Sequence, residues 1–213
     1  MTGVYIATED ALSEAVADRL IEEENRGIYV AVRLGGKGNG YLKRELPKFK
    51  EIASSTPFLL LTDLDRIECP ALLIDDWCGR TILPEMLLFR VAVHETEAWL
   101  LADREGFSQF SGVPFHRIPN NSELIDNPKE VLLNLVRRYG RRAVKADILP
   151  ERGSTAKIGL AYNQALCGFV QGAWSLDRAA QTANSLDRAR RRLHELRLAL
   201  ESRQKKQNTS NLI

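Results

Sequence analysis

The sequence contains few cysteines and few histidines. Three of its 213 residues are cysteine and three are histidine. Cys69, Cys78 and Cys167 are odd in number and widely spaced, so neither a disulfide framework nor a Cys-x-x-Cys zinc site is expected. Reduced thiols are typical of cytosolic proteins, and we therefore expect a cytoplasmic location.

Three longer patterns are also missing from the sequence. No apolar run approaches the ~18–20 residues that a membrane helix needs, so no membrane association is expected. The N-terminal stretch MTGVYIATED has no basic segment followed by an apolar one, which argues against a signal peptide. The glycine-rich stretch GGKGNG at 35–40 does not fit the Walker A pattern GxxxxGK[ST].

The charges nearly cancel in number but are unevenly distributed. The chain has 30 Lys and Arg against 28 Asp and Glu, a net charge of +2. Acids concentrate at 9–24 and 63–105, whereas 137–145 and 188–206 are basic. Such a division predicts one place for a cation and another for a phosphate chain, although any single run is more often an ordinary solvated helix face.

The first half of the sequence alternates between strand and helix patterns. Short apolar segments predict strands at 3–7, 28–34, 58–62 and 86–93. Helical patterns lie between and after them, at 10–25, 41–53, 70–77 and 94–103. This alternation predicts an α/β fold with a mainly parallel four-stranded sheet flanked by helices. Ligands of such sheets bind beyond the carboxyl ends of the strands.

The second half is predicted to be helical. Helical patterns cover 127–140, 154–170 and 185–201. We therefore predict an α/β core over 1–105, a helical extension packed on it over 106–203, and a disordered tail over 204–213.

The stretch LLLTDLDRIECP at 59–70 carries two carboxylates out of the end of a predicted buried strand. Asp63 and Asp65 lie two residues apart, and Glu9 follows the first strand at the same predicted edge. Carboxylates so close together repel one another unless a cation or raised pKa values offset the repulsion. Oxygen ligands of this kind suit Mg²⁺ or Mn²⁺, which we expect as the cofactor.

The order of these residues resembles the Toprim fold, in which a strand ends in Glu and a later strand ends in Asp-x-Asp. The resemblance extends to GGKGNG, LTDLDR, HETEAWLLAD and NPKE, and is nearest to compact bacterial Toprim proteins encoded beside ABC-type ATPases. Those proteins are related to the overcoming-lysogenization-defect (OLD) nucleases and are implicated in anti-phage defence. The resemblance implies that Glu9, Asp63 and Asp65 bind the metal and cleave nucleic acid, with an ATPase as partner.

Three positions depart from the Toprim pattern. Asp10 replaces the usual Gly after the first Glu, Ile67 stands where another acid or Gly is usual, and Ser13 replaces an acid of the first helix. Glu95 and Glu97 follow the fourth strand and offer replacement carboxylates. We predict Glu95 as a catalytic residue and Glu97 as a metal ligand.

Basic residues are predicted to hold the phosphate backbone without reading its sequence. Lys157 is the candidate for stabilising charge in the transition state, with Lys129 as the other choice. The predicted nucleic-acid contacts are Lys37, Lys129, Arg137, Arg138, Arg141 and Arg142. The sequence leaves open DNA or RNA as substrate, the number of metal ions, and a homo-oligomeric state.

Two alternatives to a nuclease remain. LLLTDLDRI is also similar to the first motif of haloacid-dehalogenase-like phosphatases, with Asp63 as nucleophile, but in that family the motif follows the first strand of the core. The chain could instead be a non-catalytic module whose helical half binds an ATPase or nucleic acid.

Overall fold

Four parallel strands form the centre of the computed structural model, which describes residues 1–24, 27–79 and 81–210. The strands are β1 (Thr2–Thr8), β2 (Ile28–Gly35), β3 (Phe58–Asp63) and β4 (Leu87–Ala92). They form one sheet in the order β2-β1-β3-β4, and every pairing is parallel. The predicted α/β fold with a mainly parallel four-stranded sheet is confirmed.

Helices cover both faces of this sheet, as the alternating pattern predicted. The first four are α1 (Ala11–Glu23), α2 (Asn39–Ile52), α3 (Pro70–Cys78) and α4 (Thr96–Ala102). The following six are α5 (Arg104–Ser111), α6 (Pro128–Tyr139), α7 (Arg142–Ile148), α8 (Tyr162–Gln171), α9 (Leu176–Ala180) and α10 (Asn184–Ser210). Among the described helices, none is long and apolar enough to cross a lipid bilayer.

The alternation of side chains along β3 determines which way its last residue faces. Phe58 and Leu60 pack into a cluster with residues of α2 and α3. Leu59 and Leu61 pack into a second cluster with residues of α1 and the later helices. Because side chains alternate between the two faces of a strand, Asp63 follows Leu59 and Leu61 onto the face that carries the later helices.

The later helices share a hydrophobic core with the sheet. The cluster that contains Leu59 also contains Trp99, Tyr162 and Trp174, all essentially inaccessible to solvent. Helix α8 packs directly against α1. The helical half is therefore packed on the α/β core, and the division predicted at residue 105 falls inside α5.

Two predicted helix boundaries differ from the structure. Residues 154–161, predicted as the start of a helix, form a loop, and α8 begins only at Tyr162. The loop is fixed at Gly159, whose amide donates to the carbonyl of Ile148 and whose Cα lies too close to Asp147 to accept a side chain. Helix α10 continues through 204–210, a part of the predicted disordered tail, and 211–213 lie outside the described residues.

Candidate active site

The register of the sheet brings Glu9 and Asp63 to the same edge. Thr8 pairs with Leu61 across β1 and β3, so Glu9 follows at the level of Thr62. The Thr62 hydroxyl donates a short hydrogen bond to Oε1 of Glu9. This edge holds the carboxyl ends of the strands, where a ligand site was expected from the topology.

Asp63 is held by the first residue of α4. Oδ1 of Asp63 accepts two hydrogen bonds from Thr96, one from the backbone amide at 2.9 Å and one from the hydroxyl at 2.7 Å. Oδ2 of Asp63 accepts no hydrogen bond from the described residues and is available to a ligand. The carboxylate is therefore fixed in orientation with one oxygen free.

Asp65 lies in a turn beyond the strand, where its side chain contacts the start of α2. Its backbone adopts a left-handed conformation with φ of 52°, and its amide donates to the carbonyl of His94, which has φ of 62°. Oδ2 of Asp65 accepts a 2.9 Å hydrogen bond from Asn39 at the start of α2. Left-handed conformations are unfavourable for residues other than glycine and concentrate at functional sites. Two of them face each other here across the ends of β3 and β4.

The glycine-rich loop at 35–40 is tied to the chain around Glu9. Gly35 has φ of 113°, and a Cβ there would lie 2.1 Å from the carbonyl oxygen of Thr8. The amides of Gly36 and Gly38 donate to the carbonyls of Thr8 and Glu9. The close approach requires glycine at position 35 and brings Asn39 within reach of Asp65.

The carboxylates at this edge have raised pKa values. Burial raises the pKa of Asp63 well above its ordinary value, and the charges of Glu97 and Glu9 raise it further. Burial also raises the pKa of Glu9; the hydrogen bond from Thr62 offsets part of this rise, and the charge of Asp65 adds a smaller one. Crowded, partly desolvated carboxylates of this kind are stabilised by a bound cation.

Glu95 and Glu97 lie at the same edge but contact the helical half. Oε2 of Glu95 accepts a 2.8 Å hydrogen bond from the backbone amide of Lys129, in the first turn of α6. Oε1 of Glu97 accepts a 2.7 Å hydrogen bond from the Tyr162 hydroxyl and lies 3.1 Å from Nζ of Lys129. Glu97 is 3% exposed, so its charge is compensated within the protein.

The protonation states of Lys129, Tyr162 and Glu95 follow from the same contacts. Burial lowers the pKa of Lys129, but the carboxylates of Glu97 and Glu95 outweigh that effect and leave it raised, so the ammonium stays charged. Burial and the charge of Glu97 raise the pKa of Tyr162, which stays protonated and donates. Burial raises the pKa of Glu95 despite the hydrogen bond from Lys129.

The remaining predicted contacts are spread over several surfaces. Lys157 is exposed in the loop before α8 and lines a cleft with Glu95, Lys129 and Arg137. Nζ of Lys37 lies 5.0 Å from the ring centroid of Tyr41, at a distance suited to a cation–π contact.

The three other predicted arginines lie near the end of α6 and the start of α7. Arg138 lies over the ring of Tyr139. Arg141 donates to the carbonyl of Gln109, and Arg142 is exposed at the start of α7.

Several residues that the sequence did not single out orient these carboxylates. Thr62, Thr96, Asn39 and Tyr162 each donate a hydrogen bond to one of the acids. Thr62 and Thr96 are adjacent to Asp63 and Glu95 in the sequence, so they could have been predicted as hydrogen-bond donors to the acids. Asn39 and Tyr162 could be found only from the fold.

Two of the unusual positions of the sequence have a structural explanation. Asp10 is the N-cap of α1, and Oδ1 of Asp10 accepts hydrogen bonds from both the amide and the hydroxyl of Ser13. Ser13 in turn accepts one from the amide of Asp10. This capping box satisfies amides that a helix start leaves without partners. Ile67 is exposed in the loop after Asp65.

The carboxylates at this edge fit a divalent ion that keeps several water ligands better than an ion whose ligands all come from the protein. Among the described residues, no three His, Cys, Asp or Glu side chains converge as a ready-made metal cluster. Mg²⁺, however, commonly takes only one or two protein carboxylates and fills its remaining positions with water and phosphate. Oδ2 of Asp63 and Oδ1 of Asp65 accept nothing from the described residues and can serve in this way.

Comparisons of the chain with protein-family models, with curated proteins and with solved structures gave no match. The resemblance to Toprim proteins therefore rests on the order of the short motifs.

Proposed function

We propose that the protein is a Toprim-type nuclease that hydrolyses phosphodiester bonds of DNA or RNA with Mg²⁺ or Mn²⁺. One observation carries the proposal: Glu9, Asp63 and Asp65 lie at or just beyond the carboxyl ends of adjacent parallel strands, and burial and nearby carboxylates raise the pKa values of the first two. A site that crowds carboxylates in this way is favourable when a cation lies among them.

The residues of the edge have separate roles in the proposed reaction. Asp63 and Asp65 would hold the ion, whose chemistry when bound would be to polarise a phosphoryl oxygen and lower the pKa of a bound water. Glu9, with a raised pKa and a hydrogen bond from Thr62, would accept a proton from the attacking water or bind the ion. Thr96 and Asn39 fix the orientation of the two aspartates.

Lys129 offers a fixed positive charge beside this edge. Its ammonium contacts Glu97 and lies 5.3 Å from the ring centroid of Tyr162, which holds it in one place. A fixed cation stabilises negative charge that develops on a phosphoryl group. In this proposal Glu97 serves as the counter-ion of Lys129, a different role from the metal ligand that the sequence predicted, and Glu95 fixes the start of α6.

The biological setting is proposed on the resemblance alone. The order of the motifs LTDLDR, HETEAWLLAD and NPKE supports an effector role in an anti-phage defence system with an ABC-type ATPase as partner. Co-purification with the product of an adjacent ATPase gene would test that pairing.

A non-catalytic module is the second candidate, and one observation favours it. Within the described part of the chain, no three potential ligands converge on one point. Under this alternative the edge would bind neither Mg²⁺ nor Mn²⁺, and the acids would serve only the fold.

A cleavage assay separates the two candidates. The protein is incubated with single- and double-stranded DNA and RNA in Mn²⁺, Mg²⁺ or EDTA, beside Asp63→Asn, Glu9→Gln and the exposed control Asp75→Asn. The nuclease proposal expects metal-dependent cleavage that Asp75→Asn retains and the other two variants lose. Cleavage that Asp63→Asn retains in full would contradict it.

A further inference from the structure

We infer that the cleft between α6 and the loop before α8 binds an unpaired strand of nucleic acid and leads it to the carboxylates. The residues of the cleft that bear on binding include Glu95, Lys129, Glu130, Arg137 and Lys157. The inference rests on the proposed function for the reaction that follows, but the binding is testable without cleavage.

The cleft adjoins the carboxylates at the edge of the sheet. Glu95 lies at the carboxyl end of β4 and lines the cleft, as does Lys129, whose ammonium contacts Glu97. A phosphate bound beside Lys129 would therefore lie next to the edge that carries Asp63. None of the other predicted contacts, Lys37, Arg138, Arg141 or Arg142, lines this cleft.

Two cations of the cleft, Arg137 and Lys157, differ from most of the arginines on α10. The basic stretch of α10 is largely neutralised within the chain: Arg190 pairs with Glu23, Arg197 with Glu24 and Arg203 with Glu85. Arg137 and Lys157 form no ion pair with any described acid, and both are exposed. Unpaired cations on a concave surface attract phosphates more strongly than cations that an acid already compensates.

The walls of the cleft are held in place. Lys157 precedes Ile158, which packs against the hydrophobic core, and Gly159, whose amide donates to Ile148. Arg137 stands on α6, whose buried face contributes Leu132 and Val136 to the same core. Two cations on separate walls are thus carried by backbone that packing against the core holds in place.

The size of the cleft favours an unpaired strand over a duplex. Its volume is about 620 Å³. Sites of roughly 300–1,000 Å³ enclose one small organic ligand, a scale that corresponds to one or two nucleotides. A nucleotide of a duplex could enter only after it left its stack, which costs a few kcal/mol. Asn127 and Asn134 add amide groups that can contact a base or a sugar, while Glu130 disfavours phosphate at its own position.

The test measures binding in EDTA, where metal-dependent cleavage cannot occur. Fluorescein-labelled single strands of DNA and of RNA, about 12 nucleotides long, are titrated with protein and followed by anisotropy beside a hairpin duplex. We expect single strands to bind at least about tenfold more tightly than the hairpin. The double variant Arg137→Ala/Lys157→Ala should lose about tenfold or more and reduce the salt dependence, by about 0.7 in slope per phosphate contact removed.

Two matched variants serve as controls. Lys48→Ala removes an exposed lysine of α2 on the opposite face of the sheet, and Arg191→Ala removes an exposed arginine of α10. Both should bind single strands as the unchanged protein does. The inference is overturned if the double variant binds like these controls, or if the hairpin binds as tightly as the single strands.

Failure of this inference and failure of the proposed function give different results. If the cleft binds single strands but no cleavage occurs with Mn²⁺, the nuclease proposal fails and the binding site stands. If metal-dependent cleavage occurs while Arg137→Ala/Lys157→Ala binds and cleaves normally, the cleft inference fails and the nuclease proposal stands.

Discussion

Two groups of carboxylates lie at one edge of the sheet, and they differ in what compensates their charge. Asp63 and Asp65 accept hydrogen bonds from the neutral groups of Thr96 and Asn39, and Glu9 accepts one from Thr62. Glu97, in contrast, contacts the ammonium of Lys129.

The difference shows where a cation is still needed. Neutral donors orient a carboxylate but leave its negative charge, whereas an ammonium compensates the charge directly. The strand-end group therefore remains available to a metal ion, whereas Glu97 on α4 is already paired with Lys129. This distinction could not be made from the spacing of the acids in the sequence.

The largest expected effect is the loss of cleavage in Asp63→Asn. The amide oxygen of Asn can still accept from Thr96, so the fold is kept while a charged ligand is lost. We expect nuclease activity to fall by about 10³-fold, in the range found when one group that stabilises a transition state is removed. Stability should stay unchanged or rise, since burial and like charges already disfavour this carboxylate. Initial cleavage rates and urea unfolding, with Asp75→Asn as control, measure both effects.

Removal of the Lys129 ammonium should reduce the free energy of unfolding, because Glu97 depends on it for charge compensation. Lys129→Met leaves Glu97 buried with the Tyr162 hydroxyl as its donor, and we expect a cost of about 2–4 kcal/mol in the free energy of unfolding. The double variant Lys129→Met/Glu97→Gln should recover part of this cost, because the uncompensated charge is gone.

A matched exposed pair supplies the control for that experiment. Arg191 and Asp187 form an ion pair on the surface of α10. Arg191→Met should therefore cost less than about 1 kcal/mol in urea unfolding. Equal costs for Lys129→Met and Arg191→Met would show that Glu97 does not depend on the ammonium.

A smaller effect is expected for Asn39→Ala. Asn39 does not contact the proposed ion but orients Asp65 from the start of α2. Loss of a group that orients a ligand commonly reduces metal affinity by about tenfold, and we expect that reduction for Mn²⁺. Calorimetric titration of the variant measures it, and unchanged affinity would remove Asn39 from the site.

The smallest effect concerns pH in the absence of metal. The pKa values of Glu9, Asp63 and Glu95 are raised above their ordinary values of 4.5, 3.8 and 4.5, so the folded protein binds more protons than the unfolded chain above that range. Stability should therefore increase as the pH falls from about 7 toward the folded pKa values. Melting in EDTA between about pH 7 and pH 5 should show this rise, and Asp63→Asn should weaken it.

The sequence allowed the sheet and the edge that carries Glu9, Asp63 and Asp65 to be predicted because strands and helices alternate with clear apolar periodicity. FLLLT is buried on both faces, and the parallel pairing then places Glu9 beside Thr62. The separation of Glu95 and Glu97 from the other acids could not be predicted, since it depends on Lys129 and Tyr162, which reach the edge from distant parts of the chain. The loop before α8 was also missed, because the close approach of Gly159 to Asp147 is invisible in a helical pattern.

Calorimetric titration with Mn²⁺ tests the central claim most directly, that a divalent ion binds among the strand-end acids and not at Glu97, which is paired with Lys129. The titration compares the unchanged protein with Asp63→Asn and Glu97→Gln, and melting temperatures with and without Mn²⁺ provide a second readout. The account predicts binding that Asp63→Asn abolishes and Glu97→Gln retains. Binding that survives Asp63→Asn but is lost in Glu97→Gln, or no binding to the unchanged protein, would contradict it.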